Sequence, residues 1–176
     1  MLLEKCKPPK FAYYSKLSSG QKRIYDKSDA IDQVEVPQAA RFYKVVVDLQ
    51  KALAADSLPH TKAATERLVS GLCEVFKVQQ LEVRVLGKRP SSSRSELHGL
   101  YEMSQDKPTT ITVWMKTAKK KNVVKFRTFL RTTIHEFLHH LDYLYYQLGN
   151  SYHTHGFYQR ESSIIRQLEV FAKKEI

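Results

Sequence analysis

Residues 125–148 of the chain are KFRTFLRTTIHEFLHHLDYLYYQL. Apolar side chains recur between Leu130 and Leu148 at intervals of three and four residues, which is the spacing of one face of an α-helix. Gly149 and Asn150 follow directly, and these residue types readily adopt the left-handed conformation that ends helices. The pattern predicts one long amphipathic helix that runs from about Lys125 to Leu148.

Two histidines of this predicted helix are four residues apart, in the order His135-Glu136-Phe137-Leu138-His139. Side chains at this spacing lie one above the other on one helical face, so both imidazoles can bind a single Zn²⁺. Glu136 follows the first histidine and is placed to act as a general base that takes a proton from water. The alternative is an amphipathic helix whose polar residues match this pattern by chance. We favour the metal site because the pattern falls within a strongly periodic helix.

A third zinc ligand must come from another part of the chain, because catalytic zinc sites normally have three protein ligands. The next histidines are His153 and His155, which follow the predicted turn at Gly149. A helix that returns after this turn would carry both of them past the first two ligands. The sequence therefore predicts a Zn²⁺ site in which the third ligand is either His153 or His155.

The helix motif and the segment from His153 to Phe157 resemble the SprT-like zinc metallopeptidases, the family of Spartan and related DNA-protein crosslink proteases. In that family a third histidine stands four positions before an aromatic residue and often precedes a glycine. Phe157 stands four residues after His153, whereas Gly156 directly follows His155. We favour His153, because the aromatic residue would anchor the returning helix. The resemblance, which extends from about Gln38 to the C-terminus, implies a zincin-like fold and zinc-dependent hydrolysis of peptide bonds.

Four further residues near the motif are candidates for supporting roles. Asp142 lies on a similar helical face to the two histidines, where it is either an acceptor for a ligand imidazole or an exposed carboxylate. Tyr152, Tyr158 and Arg160 are candidates for stabilising the oxyanion that forms when water attacks a carbonyl, or else they have packing roles. His60, His98, Tyr101 and Trp114 have no motif partner, and we interpret them as structural.

The remainder of the chain predicts an α+β domain over residues 38–176. Helical spacing indicates helices at about 38–56, from 59 to 76 and from 157 onward, and alternation indicates strands at 81–85, 97–103 and 110–115. The links between strands are short and include the polar stretch from Ser91 to Ser95, which favours an antiparallel sheet. Residues 1–37 have no persistent apolar period and predict an irregular arm. The expected zincin-like architecture has two N-terminal helices, a small three-stranded antiparallel sheet, the motif helix and a C-terminal helix.

The chain is strongly basic, with 29 Lys and Arg against 18 Asp and Glu and a net charge of +11. No Asp or Glu occurs from Lys107 to His135, next to the candidate metal site. Seven basic residues of this stretch are candidates for contacting nucleic-acid phosphates, or form a solvated surface: Lys116, Lys119, Lys120, Lys121, Lys125, Arg127 and Arg131. The cysteine pair, Cys6 and Cys73, forms no disulfide framework, and no signal-type or membrane-spanning run occurs. We therefore expect a cytoplasmic protein without a membrane partner, associated with a nucleoid or nucleus if it binds DNA.

The sequence predicts a zinc metallopeptidase in which Glu136 moves the proton of the attacking water. We expect a protein or peptide substrate, which would include DNA-associated proteins if the basic stretch binds DNA, and the strand at 110–115 could offer its edge to an extended substrate. One alternative is a non-catalytic nucleic-acid-binding module with structural zinc or none. Another is a zinc hydrolase of a different amide. The residues leave the natural substrate and the oligomeric state open.

Overall fold

The computed structural model describes residues 8–90 and 97–172, without the side chains of residues 171 and 172. Five α-helices and three β-strands occur in these ranges, together with two short 3-10 helices at Ala12–Lys16 and Ala39–Phe42. The helices are α1 (Ser19–Ala30), α2 (Tyr43–Ala54), α3 (Leu58–Phe76), α4 (Phe126–Leu144) and α5 (His155–Ala172). The strands are β1 (Glu82–Lys88), β2 (Gly99–Glu102) and β3 (Thr110–Lys116). The α+β class and the predicted helices and strands are confirmed, while Cys6 and the predicted turn from Ser91 to Ser95 lie outside the described residues.

The sheet is mixed, so the prediction of an antiparallel sheet is wrong for one of its two strand pairs. Its order is β1-β3-β2, with β3 parallel to β1 and antiparallel to β2. Residues 89–109 together supply the crossover that parallel strands require, and β2 is folded within that crossover. Each link is short by itself, which is why the sequence favoured a meander. Strand β3 is the central strand, so it cannot offer a free edge to a substrate as expected, whereas β2 lies at the edge of the sheet.

The described part of the N-terminal segment, residues 8–37, contains a 3-10 helix and helix α1, so the prediction of an irregular arm is wrong for these residues. Helix α1 begins at a capping box in which Ser18 accepts a hydrogen bond from the backbone of Gln21 and the Gln21 side chain accepts one from Ser18. The buried residues of α1 are Tyr25 and Ser28, and the helix is otherwise largely polar. Its sequence therefore shows no apolar helical period. Helix α1 packs against α5. The segment is therefore part of the domain fold.

Helix α4 packs against strands β2 and β3 of the sheet and against helix α5. Phe129, Leu130, Ile134, Phe137 and Leu141 of α4 are fully or almost fully buried, as the sequence period predicts. Helix α4 ends at Leu144, before the predicted Leu148. The chain reverses earlier because Gln147 adopts a left-handed backbone with φ 52°, and the backbone N–H of Leu148 donates to the carbonyl of Asp142 at 2.8 Å. This tight reversal directs residues 150–155 back across the exposed face of the motif.

Candidate metal centre

Three histidines converge beside helix α4: His135, His139 and His153. The Nε2 atom of His153 lies 3.0 Å from Nε2 of His135 and 3.1 Å from Nε2 of His139. Each of the three offers one ring nitrogen within 4.8 Å of the others. His135 and His139 share a face of α4 because they are four residues apart, and His153 comes from the loop before α5. The three residues are close enough to bind one metal ion.

The ring of His135 is oriented by Glu161, which lies on α5. Nδ1 of His135 is 2.8 Å from Oε2 of Glu161, whose side chain is only 3% exposed. The other carboxylate oxygen of Glu161 accepts a hydrogen bond from Arg131. A carboxylate at Nδ1 favours the tautomer that carries the proton there, so Nε2 keeps the lone pair that a metal needs.

The ring of His139 is oriented through a serine. Nδ1 of His139 is 2.7 Å from Oγ of Ser151, and this hydroxyl donates to Oδ2 of Asp142 at 2.8 Å. Because the Ser151 hydroxyl donates to Asp142, its oxygen accepts a hydrogen bond from Nδ1–H of His139. The Nε2 lone pair of His139 is thereby directed toward the other two ligands.

Burial favours the neutral form of two of these imidazoles, those of His139 and His153. Desolvation, together with the neighbouring His135 and His153, lowers the pKa of His139 to about 3. Desolvation also lowers the pKa of His153, with His135 acting the same way. Neutral imidazoles are the form that binds a metal ion.

Glu136 lies beside the three histidines and faces strand β2. Its side chain is 7% exposed, and burial raises the pKa of its carboxyl to about 7. Gly99 makes room for it: a Cβ atom built at Gly99 would lie 2.7 Å from Cγ and 2.8 Å from Cδ of Glu136. The backbone of strand β2 therefore lies close to the Glu136 carboxylate, because Gly99 has no side chain.

A cleft of about 710 Å³ opens over this cluster. The three histidines and Glu136 line it from one side, and Gly99, Leu100 and Tyr101 of β2 line it from the other. Tyr101 is held there by His140, whose Nδ1 lies 3.1 Å from the phenol oxygen while its Nε2 lies 2.8 Å from the carbonyl of Gln79. The cleft brings the candidate base and the three ring nitrogens to one solvent-accessible surface.

Among the two candidates for the third ligand, the structure brings His153 into the cluster and leaves His155 outside it. The His155 ring stacks on Phe11 with the ring centroids 4.3 Å apart, and its Nε2 is 2.9 Å from the carbonyl oxygen of Pro9. The aromatic spacing selected the histidine that joins the cluster: Phe157 is fully buried, and its ring centroid lies 5.0 Å from those of His135, His139 and His153.

The structure places Tyr152 and Arg160 in packing positions, the alternative to the predicted oxyanion roles. Neither residue lines the cleft. Arg160 is fully buried and donates hydrogen bonds to the carbonyls of Ser28 and Ile31 and to Asp142. Tyr152 packs in an aromatic group with its ring 6.4 Å from that of Tyr13. These residues hold the fold together behind the site.

Asp142 and Tyr158 remain beside the site. Asp142 is not an exposed carboxylate, since it is fully buried, pairs with Arg160 at 2.8 Å and bonds Ser151. Tyr158 lines the cleft and is 42% exposed, with its ring 5.9 Å from that of His153. Tyr158 is the member of the predicted oxyanion group that faces the cleft, and that role stays a prediction.

The seven basic residues are divided by the structure. Three form ion pairs: Lys116 with Asp56 at 2.7 Å, Arg127 with Glu169 at 3.1 Å, and Arg131 with Glu161. The other four are exposed and lie in the segment that directly precedes α4: Lys119, Lys120, Lys121 and Lys125. These four lysines keep an electropositive surface available at the N-terminal end of the motif helix.

Sequence reasoning missed Glu161, Ser151 and the cleft residues His98 and Tyr101. The sequence held a signal for Glu161, because it is the only acidic residue between Asp142 and Glu169 and falls on the returning helix. Ser151 has no comparable signal, since its role depends on how the loop folds back onto His139. His98 and Tyr101 line the cleft, although they were expected to be structural.

Comparison with known proteins identified no family model, curated protein or solved structure that matches this chain. No helix in the described part of the chain combines the length and apolar character needed to cross a membrane.

Proposed function

We propose that this protein is a zinc-dependent metallopeptidase of the SprT-like type with a zincin-like active site. The proposal is carried by one observation: three imidazole nitrogens converge next to a buried carboxylate on the wall of a cleft. Three histidines and one open position form the donor set of a catalytic zinc site.

The donor set fits zinc. Ligands held tetrahedrally at about 2.0–2.1 Å from one Zn²⁺ lie roughly 3.3 Å from one another, and the observed separations from His153 are 3.0 and 3.1 Å. Nδ1 of both helix histidines is already occupied by a hydrogen-bond partner, as in protein zinc sites generally. The three candidate ligand atoms are all imidazole nitrogens, and none is a thiolate.

His135, His139 and His153 would hold the zinc, which would supply Lewis acidity to polarise a carbonyl oxygen and to make water more acidic. Glu136 then takes a proton from the attacking water and delivers it to the leaving amine. A pKa near 7 suits both transfers, because the carboxylate accepts the proton and releases it again at neutral pH. Tyr158, on the cleft wall, is our candidate for a hydrogen bond to the substrate oxygen.

Strand β2 supports a peptide as substrate. Within the described residues it pairs with β3 alone, so its other edge has backbone groups available beside Glu136. An extended peptide can add to such an edge through main-chain hydrogen bonds. Bound in this way, its scissile carbonyl would lie close to the three histidines.

The test combines metal analysis with proteolysis of an unfolded protein substrate. The purified wild type should contain close to one zinc per chain and cleave the substrate, while Glu136→Gln should keep zinc and lose cleavage. Glu102→Gln, an exposed carboxylate at the end of the same strand, is the matched control and should retain activity. Zinc without Glu136-dependent cleavage of any peptide would refute the peptidase, and a metal-free protein that binds DNA would favour the nucleic-acid-binding alternative.

The exposed lysines support a DNA-associated substrate for the same enzyme. Phosphate contacts by Lys119, Lys120, Lys121 and Lys125 would be independent of sequence and sensitive to salt. Because these lysines precede α4 directly, DNA bound there would hold proteins near the cleft. Fluorescence anisotropy with a duplex oligonucleotide at several salt concentrations measures this binding.

A further inference from the structure

The third ligand differs from the first two in having no regular secondary structure to hold it. His135 and His139 lie on α4, whereas His153 lies in the loop between α4 and α5. This loop contacts residues 8–31, which comprise the first 3-10 helix and α1. We call residues 8–31 the clasp.

The clasp holds the backbone of the ligand itself. The Tyr13 hydroxyl donates a hydrogen bond to the carbonyl oxygen of His153 at 2.9 Å. The ring of Tyr13 stacks on that of the neighbouring Tyr152, with the planes 29° apart. The position of the His153 backbone is thus tied to a residue 140 positions earlier in the chain.

The clasp also holds the residues that follow the ligand. The backbone N–H of Gly156 donates to Asp29 at 3.2 Å, and the hydroxyls of Ser28 and Thr154 meet in the buried interface at 3.4 Å. Gly156 has no room for a side chain, because an added Cβ would lie 2.6–2.8 Å from the carbonyl oxygens of Ser28, Asp29 and Ile31. The loop is therefore packed against the clasp at backbone distance.

We propose that the clasp positions the third metal ligand, with Tyr13 as its positioning residue. The inference rests on the proposed metal site. Residues 8–31 do not line the cleft, so the clasp leaves access to the three histidines open. Its action through Tyr13 is to hold His153 where it meets the two histidines of α4, and loss of the Tyr13 hydroxyl lowers metal affinity through His153.

The experiment compares Tyr13→Phe with Tyr14→Phe in the full-length chain. Tyr14 belongs to the same 3-10 helix, but its hydroxyl bonds Asp26 at 3.0 Å and not the ligand loop. Zinc affinity is measured by competition with a chromophoric chelator, and thermal unfolding of the metal-free proteins checks folding. Tyr13→Phe should raise the zinc dissociation constant on the order of tenfold, whereas Tyr14→Phe should change it by about twofold or less.

A second background separates positioning from general destabilisation. In His153→Ala protein the third ligand is absent, so adding Tyr13→Phe should have no further effect on zinc affinity. An equal loss in both backgrounds would overturn the proposal, and so would equal affinities for Tyr13→Phe and Tyr14→Phe. Wild-type protein that binds no zinc would overturn the proposed function and the clasp together, whereas zinc binding indifferent to Tyr13 overturns the clasp alone.

Discussion

Replacement of Gly99 by alanine should displace the candidate base without disturbing the metal ligands. The built Cβ lies 2.7 Å from Cγ of Glu136, and packed carbon atoms are separated by about 3.5 Å or more, so one group must retreat by about 0.8 Å. The Glu136 side chain is flexible and moves more readily than the paired strand. A misplacement of about 1 Å at a catalytic group can cost about 100-fold in rate, which corresponds to about 2.7 kcal/mol of transition-state stabilisation.

The assay is steady-state cleavage of a fluorogenic peptide together with zinc content. Gly99→Ala should lower kcat/KM by about 100-fold and keep one zinc per chain. Gly87→Ala is the matched control, because a Cβ at Gly87 meets nothing within 4 Å in a strand of the same sheet. If Gly99→Ala cleaves the peptide as fast as Gly87→Ala, the assignment of Glu136 as base is refuted. Loss of zinc from Gly99→Ala would instead show that the added methyl group disturbs the metal ligands.

Three other changes test the surroundings of the site. Glu161→Gln should weaken zinc binding by about 10–100-fold, because the charged acceptor at Nδ1 of His135 is lost, and chelator competition measures this. Asp142→Ala should lower the free energy of unfolding by about 3–5 kcal/mol in urea, because it leaves the buried Arg160 without its ion-pair partner. Alanine at residues 119–121 should weaken binding to duplex DNA and reduce the slope of its salt dependence by up to about three, as measured by anisotropy.

Each of these changes has a control of similar chemistry. Glu169→Gln removes a carboxylate from the same helix that pairs with Arg127, and should leave zinc affinity unchanged; a loss equal to that of Glu161→Gln would contradict the role of Glu161. Asp48→Ala removes two partly exposed ion pairs, with Lys44 and Arg67, and should cost about 1 kcal/mol, so an equal cost at Asp142 would refute the buried pair. Alanine at Lys51, Lys62 and Lys77 changes the net charge equally, and equal loss of DNA binding would contradict a local phosphate site.

The sequence predicted the parts of the site that follow from spacing along one element. His135 and His139 lie on one face because the helical period requires it, and Glu136 follows from the same motif. His153 was favoured over His155 because Phe157, four residues later, anchors the returning helix. The α+β class and the three strands likewise follow from local periodicity.

The remaining features depend on contacts between distant segments, and local patterns carry no information about them. The parallel pairing of β1 with β3 joins residues far apart in the chain, such as Val83 and Ile111. Helix α1 has too few apolar residues to show a helical period in the sequence. Its C-terminal end is held instead by hydrogen bonds that Arg160 donates to the carbonyls of Ser28 and Ile31. Arg160 was a candidate because an arginine near a metal motif can stabilise negative charge on a substrate. In the structure its guanidinium instead donates hydrogen bonds to buried backbone carbonyls.

The three candidate ligands are held in two different ways. Side chains orient the rings of His135 and His139, through Glu161 and Ser151 at their Nδ1 atoms. The His153 ring packs against Phe157 and Tyr158, and its backbone carbonyl accepts a hydrogen bond from the Tyr13 hydroxyl. A ligand on a helix needs only its ring fixed, because the helix fixes its backbone; a ligand on a loop needs its backbone fixed first, since the conformational entropy of the loop opposes metal binding. The clasp fixes this backbone. This role accounts for the packing of residues 8–31, which are distant in sequence, against the loop that carries His153.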